Sequence, residues 1–442
     1  MNKALAQCIV DSLRPSGNPE GGTARLRRLT QNDWGATLDW LHLSGLALLF
    51  WHKLEESQST SVVPSEVRVR LARNLADNQV RVGEMAAEFD MINHRLEDAG
   101  VPFAVLKGFA MIPEYFPDAA LRSSTDYDYL LPRSGLRHAD QALRAAGYFP
   151  LVEPKKSYSI TYAQATHPYG FVSCLDDMYS TRLPREIELH SELWERDRER
   201  IDVTLPDDLL TRGKLRSWQG LQFPALSDED ALIFHVLHLL KHLLGNWCRL
   251  SSLFEIAYFL NRQASDMAFW ERLRRRTEER GRLPQIIGVV FALAASVFGV
   301  AIPRGLSVWT TQALTPSMAL WVDHYGIDLA LQNFSGNKFC LLLHRELVQD
   351  LEGWKHVRRR RVFLLERPAR VAEAPTSTPS SRLRATYTQL GYVFGLLRFH
   401  LPATLAYWFE LPRWKRMLRR IQRSKGRSRS SINRTITSKG VN

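Results

Sequence analysis

At 442 residues with 45% hydrophobic side chains, the chain exceeds what one core usually serves and can bury two or three packed units, which excludes a disordered or fibrous protein. The formal charge is +13, but residues 411–442 hold eleven Lys and Arg and no Asp or Glu, leaving 13 − 11 = +2 for the rest. The basicity belongs to a tail, which argues against a folded body that grips nucleic acid through its own basic face.

Residues 33–54 read as helical, with Leu38, Leu41, Leu48 and Leu49 on one face and Gly45 interrupting it. Residues 64–100 predict a long helix with Leu71, Leu75, Val82, Met85, Phe89, Ile92 and Leu96 at heptad-like intervals and a stop at Gly100 and Pro102. A strand follows over 103–106. The chain then turns at Lys107-Gly108 into a short helix that ends before Pro117. A second strand is expected over 126–131, a helix over 135–147 and further strands over 148–152, 157–162 and 185–190. Beyond these, alternation gives way to helical periodicity through Leu260 and on to Val300. Residues 286–302, apolar except for Gly and Ser296, read as a buried helix rather than a membrane span, being a little short for one.

The Arg358–Arg361 run reads as a solvated helix face, and 367–384, rich in Pro, Ala, Ser and Thr, as a linker or flexible loop. Residues 390–411, interrupted by Arg398, His400, Pro402 and Glu410, suit a surface. The expected organisation is an N-terminal helical region (1–100), an α/β core (101–225), a C-terminal helical domain (226–366), the linker, and an amphipathic segment with a basic tail (385–442). Cys8, Cys174, Cys248 and Cys340 show no paired spacing, and no basic-then-apolar leader opens the chain. Both features fit a cytoplasmic protein, peripheral to a membrane if the tail touches anionic lipid; nucleic acid is the tail's other expected partner.

Asp126 and Asp128 lie two residues apart at the start of an apolar strand, so the period-two pleat puts both carboxylates on one face, where they can share a metal. Glu186, Glu188 and His190 share a face of the 185–190 strand and offer a third carboxylate. Three carboxylates holding divalent ions suit phosphoryl transfer to a hydroxyl, and magnesium suits all-oxygen ligation. Gly108 allows the backbone to approach a phosphate closely, and Lys107 adds a charge there. Arg122 can brace the carboxylates, bind a triphosphate oxygen or form a simple surface ion pair. His235, His238 and His242 share one helical face, where lining a cleft or completing core hydrogen bonds outweighs a three-histidine zinc site.

The run Leu106-Lys107-Gly108, then Tyr115-Phe116-Pro117, then Leu121-Arg122-Ser123-Ser124-Thr125-Asp126-Tyr127-Asp128, with Ile187-Glu188-Leu189-His190 downstream, resembles the polymerase-β-like nucleotidyltransferases, and within them an uncharacterised bacterial group. The likeness spans roughly residues 30–260. Two departures stand out: Lys107-Gly108 replaces the Gly-Ser pair of the wider superfamily, and Glu188 stands where Asp is frequent. The resemblance implies an α+β fold, with a small mixed-sheet nucleotidyltransferase core flanked by helical regions. It implies Asp126, Asp128 and Glu188 as catalytic metal ligands for Mg²⁺ or Mn²⁺, and Lys107, Gly108, Arg122, His190, His238 and His242 around the nucleotide. The expected reaction is transfer of a nucleoside monophosphate, from a nucleoside triphosphate such as ATP, to a hydroxyl of a small molecule, sugar, peptide or protein.

Two rivals remain at this level. A glycosyltransferase also uses Asp-x-Asp against a nucleotide sugar, but it needs a doubly wound sheet where this chain reads as helices before residue 103. A non-catalytic scaffold would keep the core as a platform and work through the tail.

Overall fold

The computed structural model describes residues 3–14, 24–151, 159–164, 178–333, 336–363 and 379–437, and in the last of these the side chains of 386–423. Residues 152 and 157–158 of the predicted strands, Cys174, and residues 367–378 of the predicted linker lie outside that set.

Gly45 divides the first predicted helix into two, α1 (Gln31–Ser44) and α2 (Ala47–Glu56). It closes α1 in the left-handed conformation, φ 74°, and a Cβ there would meet Ser251 Oγ at 2.5 Å, so both backbone and space require glycine. Thr30 caps the other end in a reciprocal box with Asp33.

Helix α3 (Ser65–Asp98) carries an inward stripe that differs from the expected one. Leu71, Met85, Phe89, Ile92 and Leu96 are buried as predicted, but between Leu71 and Met85 the buried positions are Asn74, Asn78 and Arg81, with Leu75 and Val82 only partly covered. The spacing three, four, three, four is unbroken; of the polar side chains in the middle of it, Asn78 and Arg81 hold the backbone of the segment that leads to the candidate site.

Strands β1 (Ala104–Val105), β2 (Asp126–Leu130), β3 (Tyr148–Pro150), β4 (Ser159–Gln164), β5 (Glu186–His190), β6 (Lys214–Trp218) and β7 (Leu221–Ala225) form one mixed sheet in the order β3-β4-β5-β2-β1-β7-β6. Helix α4 (Leu136–Ala145) joins β2 to β3. Pairings β2–β5 and β1–β7 are parallel and the others antiparallel. The β6–β7 hairpin corrects the expectation of helix beyond His190. Gln219 and Gly220 both take positive φ, 46° and 89°, as a two-residue hairpin turn demands. Among the described residues β1 alone precedes β2, and it runs antiparallel to it, so the doubly wound sheet of a nucleotide-sugar enzyme is missing here.

The two faces of β2 meet different layers. Tyr127 and Tyr129 turn toward α3, where Phe89 lies 6.2 and 6.3 Å from their rings and Tyr129 donates to Asn93 Oδ1 at 3.0 Å. Leu130, on the same side as Asp126 and Asp128, joins Ala104, Leu106, Leu226, Ala231 and Phe234 in a small separate core. Helix α5 (Asp228–Leu244) supplies Ala231 and Phe234, so it covers the carboxylate face. Ser227 caps α5, its hydroxyl accepting from the Asp230 amide and donating to Asp230 Oδ2.

Helix α6 (Leu250–Arg262) follows, and α7 (Leu283–Phe298) is the buried helix expected over 286–302, ending earlier, at Gly299 in the left-handed conformation. Among the described residues no helix is long and apolar enough to cross a membrane. In α8 (Leu351–Val362) Arg358 and Arg359 are exposed as expected, whereas Arg361 donates at 3.1 and 3.0 Å to the buried carboxylate of Glu199. The last helix, α9 (Pro379–Thr437), includes residues 379–384 of the predicted linker.

Candidate active site

Parallel pairing of β2 with β5 in the register Asp126↔Glu186, Asp128↔Glu188 and Leu130↔His190 sets the acidic side chains beside one another. Asp128 is at the centre and fully buried. Its Oδ1 accepts from Lys107 Nζ at 3.0 Å and lies 3.1 Å from His190 Nε2, which is also 3.3 Å from Glu188 Oε2. Its Oδ2 is buried and has no hydrogen-bond partner among the described residues. A buried carboxylate oxygen without a partner is costly, so the arrangement is incomplete for a protein at rest and fits a bound cation.

Lys107 reaches Asp128 because β1 continues past its last paired residue: the Leu106 amide donates to the Asp128 carbonyl at 2.9 Å. Gly108 then takes φ 64°, which turns the chain into a single 3₁₀ turn, Gly108–Met111, where the short helix was expected. The Lys107 ammonium lies 5.8 Å over the Phe234 ring of α5.

These contacts split the two aspartates. Burial pushes the Asp128 carboxyl up, but the Lys107 charge and His190 outweigh it and hold it well below the usual carboxylate range. Asp126 is pushed up by burial and then by the neighbouring Asp128 charge. Lys107 and His190 are pushed down by burial, yet both end above their ordinary values, Lys107 through the charges of Asp128, Asp126 and Glu188, and His190 through hydrogen bonds to Asp128 and Glu188.

Among the described residues, the group of three whose ligand atoms lie within 4.8 Å of one another is Asp128, Glu188 and His190, so the structure brings two of the three predicted metal ligands together and adds the histidine. Asp126 lies one pleat along, on the same face, and with Asp128, Gly108, Arg122, Met85 and Phe109 it lines a narrow cleft beside α3.

Arg122 is turned into a buried ion pair rather than a surface one. Its Nε donates to Glu255 Oε1 on α6 at 2.9 Å, and Nη1 donates to Ser124 Oγ. The segment between the 3₁₀ turn Ala119–Leu121 and β2 is held from several sides. Asn78 donates to the Ala120 and Arg122 carbonyls at 2.6 and 3.1 Å, Arg81 to the Ser124, Ser180 and Leu183 carbonyls at 3.1, 2.9 and 2.8 Å, and Arg249 to the Ser123 carbonyl at 3.0 Å.

Residues 30–299 match the model of a family described as uncharacterised nucleotidyltransferase. The chain belongs to this nucleotidyltransferase family. The match begins at Thr30, the cap of α1, and ends at Gly299, the cap of α7, so the family unit is the sheet with the helices on both its faces, and α8 and α9 lie beyond it. No curated protein and no solved structure is significantly similar.

Within the nucleotidyltransferase unit the three histidines of α5 divide. His235 packs its ring 4.5 Å from Tyr115, and burial pushes it down to about 3. His238 and His242 hydrogen-bond to each other, Nε2 to Nε2 at 3.1 Å, and both are pushed down, first by burial and then by the Lys107 charge. All three are neutral imidazoles near neutral pH rather than a cationic patch. Sequence reasoning missed Asn78, Arg81, Arg249 and Glu255; the signal for the first two was the polar gap in the heptad stripe of α3.

Proposed function

We propose that this nucleotidyltransferase moves a nucleoside monophosphate from a nucleoside triphosphate to a hydroxyl acceptor, with Asp126, Asp128 and Glu188 as the ligands of Mg²⁺ or Mn²⁺. The observation that carries the reading is the in-register pair Asp128↔Glu188 with the buried, unpartnered Oδ2 of Asp128 beside it. His190 points one nitrogen at both carboxylates, and a nitrogen that donates to carboxylates is not a cation ligand at the same time. It therefore orients Asp128 and Glu188, leaving Asp126 to complete an all-oxygen set.

A bound divalent cation supplies Lewis acidity to the triphosphate and to the attacking hydroxyl. The chain's own groups do the rest. Lys107 balances the carboxylates and stands at the phosphate end, where Gly108 lets backbone approach closely. Arg122, fixed by Glu255, presents its planar fork beside Asp126, and His238 and His242 on α5, near enough to Lys107 to feel its charge, would stand beside the nucleotide. The acceptor class extends over small molecules, sugars, peptides and proteins, which all offer hydroxyls.

Calorimetry of ATP, GTP, CTP and UTP with the full chain tests this. At least one is expected to bind in Mg²⁺ and to lose at least about tenfold in affinity in chelator, a modest share of the several kcal/mol that a cation contributes at such a site. Equal affinity with and without the cation, or no binding of any triphosphate, contradicts the proposal.

A further inference from the structure

Helix α9 is held to the body along one side. Ala403, Tyr407 and Trp414 are buried, Tyr325 donates to Glu410 Oε1 at 2.7 Å, and Lys338 Nζ donates to Thr404 Oγ1 at 2.8 Å. The other side is apolar and uncovered. Leu390, Phe394, Leu397, Leu401, Leu405 and Trp408 recur at intervals of three and four, which places them in one stripe, and all are exposed, Phe394 to 69% and the adjoining Phe409 to 80%. Past Pro412 the same stripe continues with Lys415, Arg416, Arg419 and Arg423, all exposed. One helix thus presents an aliphatic and aromatic ridge that becomes a basic ridge along its length.

We propose that this face of α9 docks on an anionic lipid bilayer, lying in the interface with the Leu390–Trp408 ridge among the acyl chains and the Arg416 to Arg423 stretch against the headgroup phosphates. Charge complementarity selects this occupant. Residues 411–442 carry eleven Lys and Arg and no acidic residue, so they favour a surface of fixed negative charge. A second copy seated on the same ridge would bring two such tails together, and a nucleic acid would leave the Leu and Phe side chains in water. Interfacial helices combine an apolar face with basic residues in this way without spanning the bilayer. Arg398, exposed within the apolar stretch, has a stem long enough to lift its charge to the headgroups. The face lies outside the family match and does not depend on the nucleotide site.

The test is co-sedimentation of the full chain with vesicles of phosphatidylcholine alone or mixed equally with phosphatidylserine. The wild type is expected to pellet with the anionic vesicles at low salt and to lose about tenfold or more of its binding at high salt. The triple variant Phe394→Ser, Leu401→Ser, Trp408→Ser leaves every charge in place and is expected to lose about as much, as is Arg416→Glu, Arg419→Glu, Arg423→Glu. These side chains are exposed, so circular dichroism is expected to be unchanged and to separate lost docking from lost folding. Full binding by the serine variant overturns the proposal, because docking would then be charge alone. So does a wild type that stays in the supernatant, whether it sediments as a dimer that the serine variant dissolves or retards DNA in a gel.

Discussion

Asp126→Asn and Asp128→Asn are each expected to reduce nucleotidyl transfer by about a thousandfold or more, the loss of several kcal/mol of transition-state stabilisation when a metal ligand is removed. Their effects on stability are expected to be opposite. Lys107 and His190 stabilise the charged form of Asp128, so neutralising it leaves the buried Lys107 ammonium short of a partner and lowers the apoprotein's denaturation midpoint. Burial and the Asp128 charge oppose ionisation of Asp126, so neutralising that residue relieves a cost and leaves the midpoint unchanged or higher. A fold stabilised by a change that removes its activity is the signature of strain kept for function. Near-normal turnover in either variant would put the active site elsewhere, and equal destabilisation by both would show that the charges are not split as described.

Arg81→Met is expected to destabilise the protein by about 3–5 kcal/mol, among the largest effects of a single substitution outside the acidic cluster. The guanidinium is fully buried on α3 and donates to three carbonyls, Ser124 just before β2 and Ser180 and Leu183 just before β5. Methionine matches much of its volume but donates nothing, so three carbonyls lose their donor at once. Those carbonyls belong to the segments that fix where Asp126 and Glu186 start their strands, so the remaining folded protein is expected to transfer more slowly as well. Urea denaturation of the variant checks this; a loss below about 1 kcal/mol, the worth of one ordinary hydrogen bond, contradicts it.

The carboxylate face was legible in the sequence because a period of two on an apolar strand leaves few alternatives: Asp126 and Asp128 had to share a side, as did Glu188 and His190. What joins the two strands was not legible from that pattern, since the parallel register of β2 and β5 spans the intervening α4, β3 and β4. The buried pair of Arg122 with Glu255 joins positions 133 residues apart, and nothing local to either marks the other. Asn78 and Arg81 were hidden for another reason. Their partners are backbone carbonyls, which every residue has, so the stripe of α3 was read through Leu75 and Val82, one position to the side of the true inward row. The β6–β7 hairpin was missed because its short strands hold Lys214, Arg216 and Gln222, and only the turn at Gln219-Gly220 announces it.

The central claim is that the chain transfers a nucleotidyl group through a cation held by Asp126, Asp128 and Glu188, and the most direct measurement follows the label from a triphosphate marked at either the α- or the γ-phosphate. With an extract as the source of acceptor, the α-label is expected to enter a product and the γ-label to leave as pyrophosphate, in Mg²⁺ or Mn²⁺ only and not with Asp128→Asn. Entry of the γ-label into the product, or transfer of the α-label that persists in chelator, contradicts the account.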